Sequence, residues 1–440
     1  MSTGRSQNLA REFIPQPLAD IEPAQIGRSR TRIDSIDLLR GIVMVIMMLD
    51  HTRDFVHSGA FQVDPTDLTR TTVALFLTRW ITHYCAPIFV FLAGTGAYLQ
   101  LAGGKSKREL SRFLVTRGIW LVVLEFTVVR LGVFFNLDYR FLAFLQVIWV
   151  IGVSMIFLAA LIHLPVKVIA GVGLAMIALH NFLDRIHVPG WHGPESAVPG
   201  LGAKLWFIAH QPFEVFPVAG FPSPLVFVVY PLIPWVGVMA AGYAFGALYQ
   251  KDPAWRRRLL LIMGKAATAL FIVLRAVNVY GDPAHWGRQK STLFTVLSFL
   301  NTTKYPPSLL FLLMTLGPGI VALALFESNA LLRARAAGLI LATVKNALIT
   351  FGRVPLFFYI LQWYTAHTIA VVAGLLAGQS VAYQFASPID KFNSPPPVGV
   401  GFRLWAVYVC WAIGVLLLYP ICKWFAGVKA RQRDWWLSYL

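Results

Sequence analysis

Charged residues are scarce in this sequence and make up 13% of its 440 positions. A soluble protein of ordinary composition carries about 25%. Hydrophobic residues make up 57%, mean hydropathy is +0.64, and the apolar residues are grouped in many long runs. Runs of about twenty residues match the hydrocarbon thickness of a bilayer. The sequence therefore predicts an all-α fold, a polytopic membrane helical bundle of about ten transmembrane helices.

Cysteine is also scarce, and several chemical motifs are missing. The three cysteines, Cys85, Cys410 and Cys422, all lie in or beside apolar runs. An odd number at such depth favours free thiols over a disulfide framework. The histidines and cysteines show neither HExxH nor CxxC spacing, so we expect no metal cofactor. No GxSxG elbow and no P-loop occur, so the sequence indicates neither a serine hydrolase nor a P-loop nucleotide site.

The chain divides by composition into one long membrane domain between two polar ends. Residues 1–31 are polar and proline-containing and lack an apolar core, so we expect a disordered cytoplasmic tail and no cleavable signal peptide. Residues 32–426 form a single transmembrane domain, and residues 427–440 a basic, tryptophan-rich cytoplasmic tail. The predicted helices cover about residues 36–55, 75–101, 113–135, 141–164, 166–182, 225–249, 259–279, 309–326, 354–376 and 402–425.

The positions of the basic residues predict the orientation of this bundle. The net charge is +18, and most of it lies in five clusters. If both termini are cytoplasmic, all five clusters lie on the cytoplasmic side of the cell membrane, as the positive-inside rule requires. The loop of residues 183–224 then lies on the outer side. The charge is then explained without a nucleic-acid partner. The clusters are Arg28–Arg32, Lys105–Arg117, Lys251–Arg258, Arg333–Arg335 and Lys423–Arg433.

The first predicted helix carries the strongest functional pattern. At 3.6 residues per turn, Arg40, His51 and Asp54 share a face with two methionines. Arg40 and His51 are about 16 Å apart along such a helix, one near each mouth. Ionisable groups at membrane depth are costly and usually face a bundle interior or a wet cavity. The simpler alternative is that the pairs Asp37–Arg40 and Asp50–Arg53 only fix the ends of the helix.

His51 is the candidate general base, because an imidazole can take a proton from a hydroxyl or amine near neutral pH. Asp50 or Asp54 could orient its ring, as a carboxylate orients a catalytic imidazole. On an ideal helix Asp54 is the better partner because it is spaced i, i+3 from His51. Asp50 points elsewhere and would serve only if the helix end is distorted.

Other ionisable groups form secondary candidates. Arg79 and His83, spaced i, i+4 on the second helix, share a face, and His83 is either catalytic or hydrogen-bonded between helices. Glu125, near the middle of the third helix, is either structural or lines a cavity. The basic cluster of residues 105–117 is either a topology determinant or an anion site for the phosphates of a cytosolic cofactor. Its members are Lys105, Arg108, Arg112 and Arg117.

Five stretches resemble a known family in order and character. They are IDLLRGIVMVIMMLDHTRDF, RWITHYCAPIFVFLAGTGAYL, YPLIPWVGVMAAGYAFG, KYPPSLLFLLMTLG and FGRVPLFFYILQ. The chain is similar in these stretches to the bacterial branch of the heparan-α-glucosaminide N-acetyltransferase-like membrane proteins, part of a wider superfamily of transmembrane acyltransferases. The arginine, ten residues, histidine spacing of Arg40 and His51 also resembles the acyltransferase-3 family.

The resemblance implies an activity. The better-known members take an acetyl group from cytosolic acetyl-CoA and deliver it to an amino sugar across the membrane. It implies acetyl-CoA or another acyl-CoA as donor, no metal, and an extracytoplasmic sugar-type acceptor. The catalytic role falls on His51, with His57 as the loop alternative, and Arg40 joins the basic cluster in holding CoA phosphates. The chain departs from the lysosomal enzyme, which has an asparagine in place of His51, and from many relatives, which have a histidine in place of Gln362.

Two other classes of function stay open at this point. A transporter or flippase for a small solute or lipid could use the same buried His, Asp and Arg groups as a proton relay. A non-catalytic membrane partner protein is the third class. For all three, membrane lipids are expected partners, and a homodimer is one assembly left open.

Overall fold

The computed structural model describes residues 33–60, 63–328, 338–394, 399–432 and 434–439. The predicted N-terminal tail, residues 1–31, lies outside the described residues. The first half forms α1 (Asp34–Val56), α2 (Val73–Thr82), α3 (Cys85–Ala102), α4 (Lys107–Leu124), a π-helical turn (Glu125–Val129), α5 (Arg130–Phe134), β1 (Phe141–Leu145), α6 (Val147–Leu161), α7 (Val166–Leu179), a 3₁₀ turn (His180–Arg185), α8 (Leu201–Ala209), β2 (Val215–Pro217), β3 (Leu225–Val228) and α9 (Leu232–Gly246).

The second half is almost entirely helical. After a 3₁₀ turn (Ala247–Gln250) come α10 (Pro253–Val277), α11 (Thr292–Leu300), α12 (Leu309–Phe326), α13 (Gly338–Arg353), α14 (Pro355–Leu376), α15 (Ala382–Phe385), α16 (Pro388–Asn393), α17 (Leu404–Arg431) and a last 3₁₀ turn (Trp435–Ser438).

Seven helical segments of the described chain are long and apolar enough to cross a bilayer, which confirms the predicted all-α polytopic membrane fold. Helix α1 has 23 residues but carries charges at both ends, and α6 has only 15 residues. The count of ten spanning helices stays a prediction. The seven segments are Val73–Ala102, Val166–Arg185, Leu232–Gln250, Pro253–Val277, Leu309–Phe326, Pro355–Leu376 and Leu404–Arg431.

Two predicted helices, 141–164 and 225–249, were wrong in their first turns. Those residues are the strands β1 and β3, which pair in parallel, while β2 pairs antiparallel with β3 in a sheet of order β1-β3-β2. A short, continuous apolar run has no periodicity that separates a buried strand from a helix. Pro231, the N-cap of α9, marks where the helix actually begins.

The second predicted helix is divided into α2 and α3, which meet at His83 and Tyr84. Helix α3 then packs closely on α9 through small residues. A side chain at Gly242 would overlap the carbonyl oxygen of Phe91, and one at Gly94 would overlap that of Met239. Thr95 Oγ1 donates to the carbonyl of Gly242 at 2.9 Å across the same contact. The small residues therefore allow a close contact between the two helices.

Helix α1 is enclosed by helices from the far end of the sequence. It contacts α13, α14 and α17 as well as α2 and α3. Gly41 faces the backbone of Leu348, and Gly352 faces the backbone of Asp37, so α1 and α13 run in opposite directions. Residues separated by about 300 positions therefore supply the walls around the ionisable face of α1.

Candidate functional site

A buried ion cluster lies at the C-terminal end of α1. Asp50 Oδ1 forms an ion pair with Arg53 Nη2 at 3.0 Å, and Asp50 Oδ2 accepts a hydrogen bond from Arg79 Nη1 of helix α2. Arg53 Nη2 also donates to Asp54 at 2.6 Å. Asp50 is 9% exposed and Arg53 5%. Buried charges persist only when they are paired and hydrogen-bonded. The pairing of Asp50 with Arg53, expected at the helix end, therefore extends to a second helix.

His51 lies beside this cluster with its ring against α14. The imidazole stacks on Trp363, with ring centroids 3.6 Å apart and an interplanar angle of 18°. Tyr359 packs edge-on at 6.3 Å. Within the described chain, Nδ1 of His51 has no hydrogen-bond partner. The ring is held in orientation by stacking, and its Nδ1 lone pair or proton is not committed to another protein group.

The described residues show no hydrogen bond from Nδ1 of His51 to Asp54, the carboxylate that the sequence favoured as its orienting partner. The i, i+3 spacing is correct, but the Asp54 carboxylate binds the Arg53 guanidinium instead. A charge-assisted hydrogen bond is about twice as strong as a neutral one, so the Asp54 carboxylate binds Arg53 in preference to a neutral His51. Asp50 is occupied by two arginines but remains close enough to interact electrostatically with His51.

A loop from a distant part of the chain completes the cluster. Lys304 lies in electrostatic range of Asp50, His51 and His83. Its Nζ is 5.1 Å from the centre of the Tyr305 ring. In the sequence, this KYPPS run is distinguished only by the family resemblance. The signal that could have found Lys304 is a lysine next to a Tyr-Pro-Pro turn at the start of an apolar helix.

Asp282 holds this loop in place. Its carboxylate accepts from the backbone N–H of Thr303 at 2.9 Å, from the Thr303 hydroxyl at 2.8 Å, and from the Ser308 hydroxyl at 2.7 Å. Arg275 closes the same region by donating to four backbone carbonyls. Lys304 therefore lies in a loop whose conformation is fixed by these hydrogen bonds.

The remaining histidine candidates have different surroundings. His83 is buried at the junction of α2 and α3, 5.4 Å from the Phe311 ring, and its Nδ1 has no partner in the described part of the chain. His57 caps the end of α1, where its Nδ1 accepts from the Gly59 N–H at 3.1 Å and its backbone pairs with Phe402. Burial and the Arg53 charge lower the pKa of His57, so it is neutral near pH 7. The structure thus places His83 with the ion cluster and gives His57 a role in the loop.

Glu125 has the structural role that was one of its two predicted alternatives. Its carboxylate accepts from the backbone N–H of Trp149 at 3.1 Å, in the first turn of α6. The first N–H groups of a helix lack partners within the helix and attract negative charge. Glu125 supplies an acceptor oxygen to one of these N–H groups from a π-helical turn, so a buried acid caps another helix.

A second basic group lies at the opposite end of α1. Arg40 Nη2 donates to the carbonyl of Leu92 at 2.9 Å, and Gly96 leaves room for the guanidinium. Arg117 lies in electrostatic range of Arg40. Lys105 and Arg117 both pack over the Phe113 ring, at 4.1 Å and 5.8 Å.

The structure therefore divides the predicted cofactor residues into two sets. Arg40, Lys105 and Arg117 gather at one end of α1, whereas Arg108 and Arg112 are exposed on α4. Arg117 also donates to the carbonyl of Ser438, and Thr116 bonds the Tyr439 hydroxyl at 2.7 Å. The C-terminal residues thus cover one side of this basic group.

We predict that Asp50→Asn destabilises the folded protein by about 3–5 kcal/mol, because it leaves two buried arginines without their shared carboxylate. Asp54→Asn should cost much less, since the Asp54 side chain is 31% exposed and has one arginine partner. Unfolding in mixed detergent micelles measures both variants. Equal and small losses for the two variants would show that the ion cluster does not hold the helices together.

Comparison with known proteins identifies the family. Residues 32–276 match the family model described as "Heparan-alpha-glucosaminide N-acetyltransferase, catalytic". No match was found among curated proteins. The matched region is more than half of the chain; it contains Asp50, His51 and Arg79 and ends before Lys304. The chain therefore belongs to the heparan-alpha-glucosaminide N-acetyltransferase catalytic family of membrane acetyltransferases.

Proposed function

We propose that this protein moves an acetyl or other acyl group from cytosolic acyl-CoA to an amine or hydroxyl of a sugar-type acceptor on the other side of the membrane. Family membership supports acetyl transfer in a membrane. The observation that carries the proposal is His51, a stacked imidazole whose Nδ1 makes no hydrogen bond to the described residues and which adjoins a paired charge cluster.

The donor side is proposed to be the basic group around Arg40 and Arg117. Guanidinium groups bind phosphate through two parallel hydrogen bonds, and two of them at one mouth suit the phosphates of CoA. The basic clusters in the sequence support a cytoplasmic position for this mouth, with both termini on the cytoplasmic side of the cell membrane. An extended pantetheine arm would cover the ~16 Å of helix between Arg40 and His51.

The acceptor side is proposed to be the pocket at His51. A lone pair of the imidazole takes the proton of the acceptor amine or hydroxyl as that atom attacks the thioester carbonyl. The carbon–sulfur bond then breaks, and the proton passes from His51 to the departing CoA thiolate. A route through an acyl-imidazole on His51 has the same overall balance. Stacking on Trp363 fixes the plane of the ring in either route.

The charge around His51 suits this reaction. Negative charge develops on the thioester oxygen in the transition state, and fixed cations nearby stabilise it. Lys304, Arg53 and Arg79 are the cations that interact with His51. Asp50 shares Arg79 and favours the imidazolium that forms after proton transfer.

We predict that Arg117→Ala weakens CoA binding by about tenfold or more, because it removes one charged hydrogen-bond donor. Arg108→Ala is the matched control: it lies on the same helix, is exposed, and should leave affinity unchanged. Titration calorimetry on purified protein measures both. Because Arg117 also binds Ser438, a chain truncated before Trp435 separates tail docking from phosphate binding and should keep its affinity. Unchanged affinity in a folded Arg117→Ala protein would exclude this donor site.

We predict that His51→Ala lowers acyl turnover by about 10²–10⁴-fold, the usual contribution of a general base. CoA affinity should stay within about twofold, since the phosphate end lies roughly 16 Å away. His57→Ala is the control, because that ring is engaged with Gly59, and His83→Ala should have an intermediate effect. The assay measures CoA release with a panel of amino sugars and sugar alcohols, and added imidazole should restore part of the His51→Ala activity. Near-normal turnover of His51→Ala would move the base to another histidine.

A further inference from the structure

A second group of chemistry-bearing side chains lies outside the pocket described above. His180 opens the 3₁₀ turn after α7, Asp184 lies one turn later, and His210 ends α8. Each offers one ligand atom, and the three atoms lie within 4.8 Å of one another. His210 Nε2 is 2.9 Å from an Asp184 carboxylate oxygen, and the two imidazole rings are 5.7 Å apart.

The imidazoles of this group are buried but poorly satisfied. His180 is 2% exposed and His210 3%. Nδ1 of His210 has no hydrogen-bond partner among the residues that the structure describes, and neither ring nitrogen of His180 has one of good geometry, although the backbone of Pro307 lies beside that ring. Buried polar atoms normally have partners, because leaving one unpaired costs free energy. A ring nitrogen of His180 can therefore bind a further group without breaking a well-formed hydrogen bond in the described part of the chain.

The group also has the supporting contacts that metal sites show. Asn181 Nδ2 donates to the second oxygen of Asp184 at 2.8 Å and so fixes the carboxylate. Asn181 Oδ1 accepts from the Leu309 N–H at 3.0 Å, at the start of α12. Hydrogen bonds of this kind orient ligands in known metal sites and raise their affinity.

We propose that His180, Asp184 and His210 bind a divalent transition metal of the zinc class. Two imidazole nitrogens and one carboxylate oxygen are a typical three-residue zinc set, with a fourth position left for water or another ligand. Hard cations such as Mg²⁺ and Ca²⁺ prefer oxygen-only sites, so this donor set disfavours them. Zinc–ligand distances are about 2.0–2.2 Å, so binding would draw the three atoms together slightly.

Binding also has a defined proton balance. The hydrogen bond between His210 Nε2 and Asp184 carries one proton, which a neutral imidazole donates to the carboxylate. When a metal ion takes Nε2, that proton moves to Nδ1 of the same ring, which has no other partner among the described residues, so a neutral His210 releases no proton. No redox step or co-reactant is involved.

The metal would connect segments that are separated in the sequence. It would join the end of α7 to the end of α8, and Asn181 links both to the start of α12. The Lys304–Ser308 loop ends at the same place, because Ser308 is the N-cap of α12. The metal would thus help position Lys304 in the acyl-transfer pocket, and this last step alone rests on the proposed function.

The test uses the full-length protein, purified in detergent with an affinity tag free of histidine and without chelators. Elemental analysis should find about one zinc per chain, and removal by a chelator should lower Tm. Zn²⁺ should restore the Tm and Mg²⁺ should not. Co²⁺ added to the stripped protein should give the visible absorption of a four-coordinate nitrogen and oxygen site. These readouts require no acyl transfer, so they stand even if the proposed function fails.

Variants locate the ion. His180→Ala, His210→Ala and Asp184→Asn should each weaken metal binding by about 10–100-fold or more, the loss seen when even outer partners are removed. His187→Ala and His192→Ala change exposed histidines of the same loop and should retain the metal. If the wild-type protein binds neither Zn²⁺ nor Co²⁺ stoichiometrically, the group is a hydrogen-bonded His–Asp pair and the proposal is wrong. Loss of the metal from the His187 or His192 variants would equally overturn it, by assigning the ion to the surface.

Discussion

The part of this structure around the C-terminal end of α1 depends on one buried carboxylate shared by two guanidinium groups. Asp50 binds Arg53 on its own helix and Arg79 on α2, and Arg53 in turn binds Asp54. In a medium of low dielectric none of these charges can be left alone without a cost of several kcal/mol. The cluster therefore fixes how α1 meets α2. It also fixes the direction of the next residue, His51, whose ring is turned to Trp363.

This cluster holds more cations than carboxylates, and the excess positive charge suits the proposed chemistry. Two carboxylates, Asp50 and Asp54, are near three cations, Arg53, Arg79 and Lys304. The net positive charge suits an anionic transition state better than it suits a cationic ligand. Lys304 is brought there by the loop that Asp282 and Arg275 organise, so the pocket is assembled from both ends of the chain.

The opposite end of α1 also brings charged side chains together, but the two that lie closest are both cations. Arg40 and Arg117 are close enough to repel each other, and each is partly satisfied by a backbone carbonyl, of Leu92 and Ser438. Two neighbouring cations form a site that an anion would stabilise. Asp37 lies at 3.7 Å from Arg40, which moderates this charge on one side.

Much of the helical architecture was predictable from the sequence, because apolar runs and basic clusters report directly on the membrane. His51 and Arg40 were identifiable because helical periodicity places them on one face of α1. The preference of Asp54 for Arg53 was not, because a neighbouring arginine competes with the histidine and periodicity alone does not rank partners.

The other missed features depend on long-range contacts. Lys304 and Trp363 reach His51 from more than 250 residues away. The strands β1 and β3 lie within apolar runs that show no strand period. His180 and His210 belong to no short spacing motif, because the fold alone brings the ends of α7 and α8 together.

Acyl transfer across the membrane is tested most directly by a measurement in which the two substrates are supplied on opposite sides of the membrane. The protein is reconstituted in vesicles, oriented populations are separated, and labelled acetyl-CoA is supplied only on the side of Arg117 while amino sugar is supplied only on the side of His51. We expect acetylated sugar on the sugar's own side, CoA retained on the donor side, and no reaction when the two substrates are exchanged. Sugar that crosses unmodified, or product formed only when both substrates share a side, would contradict it.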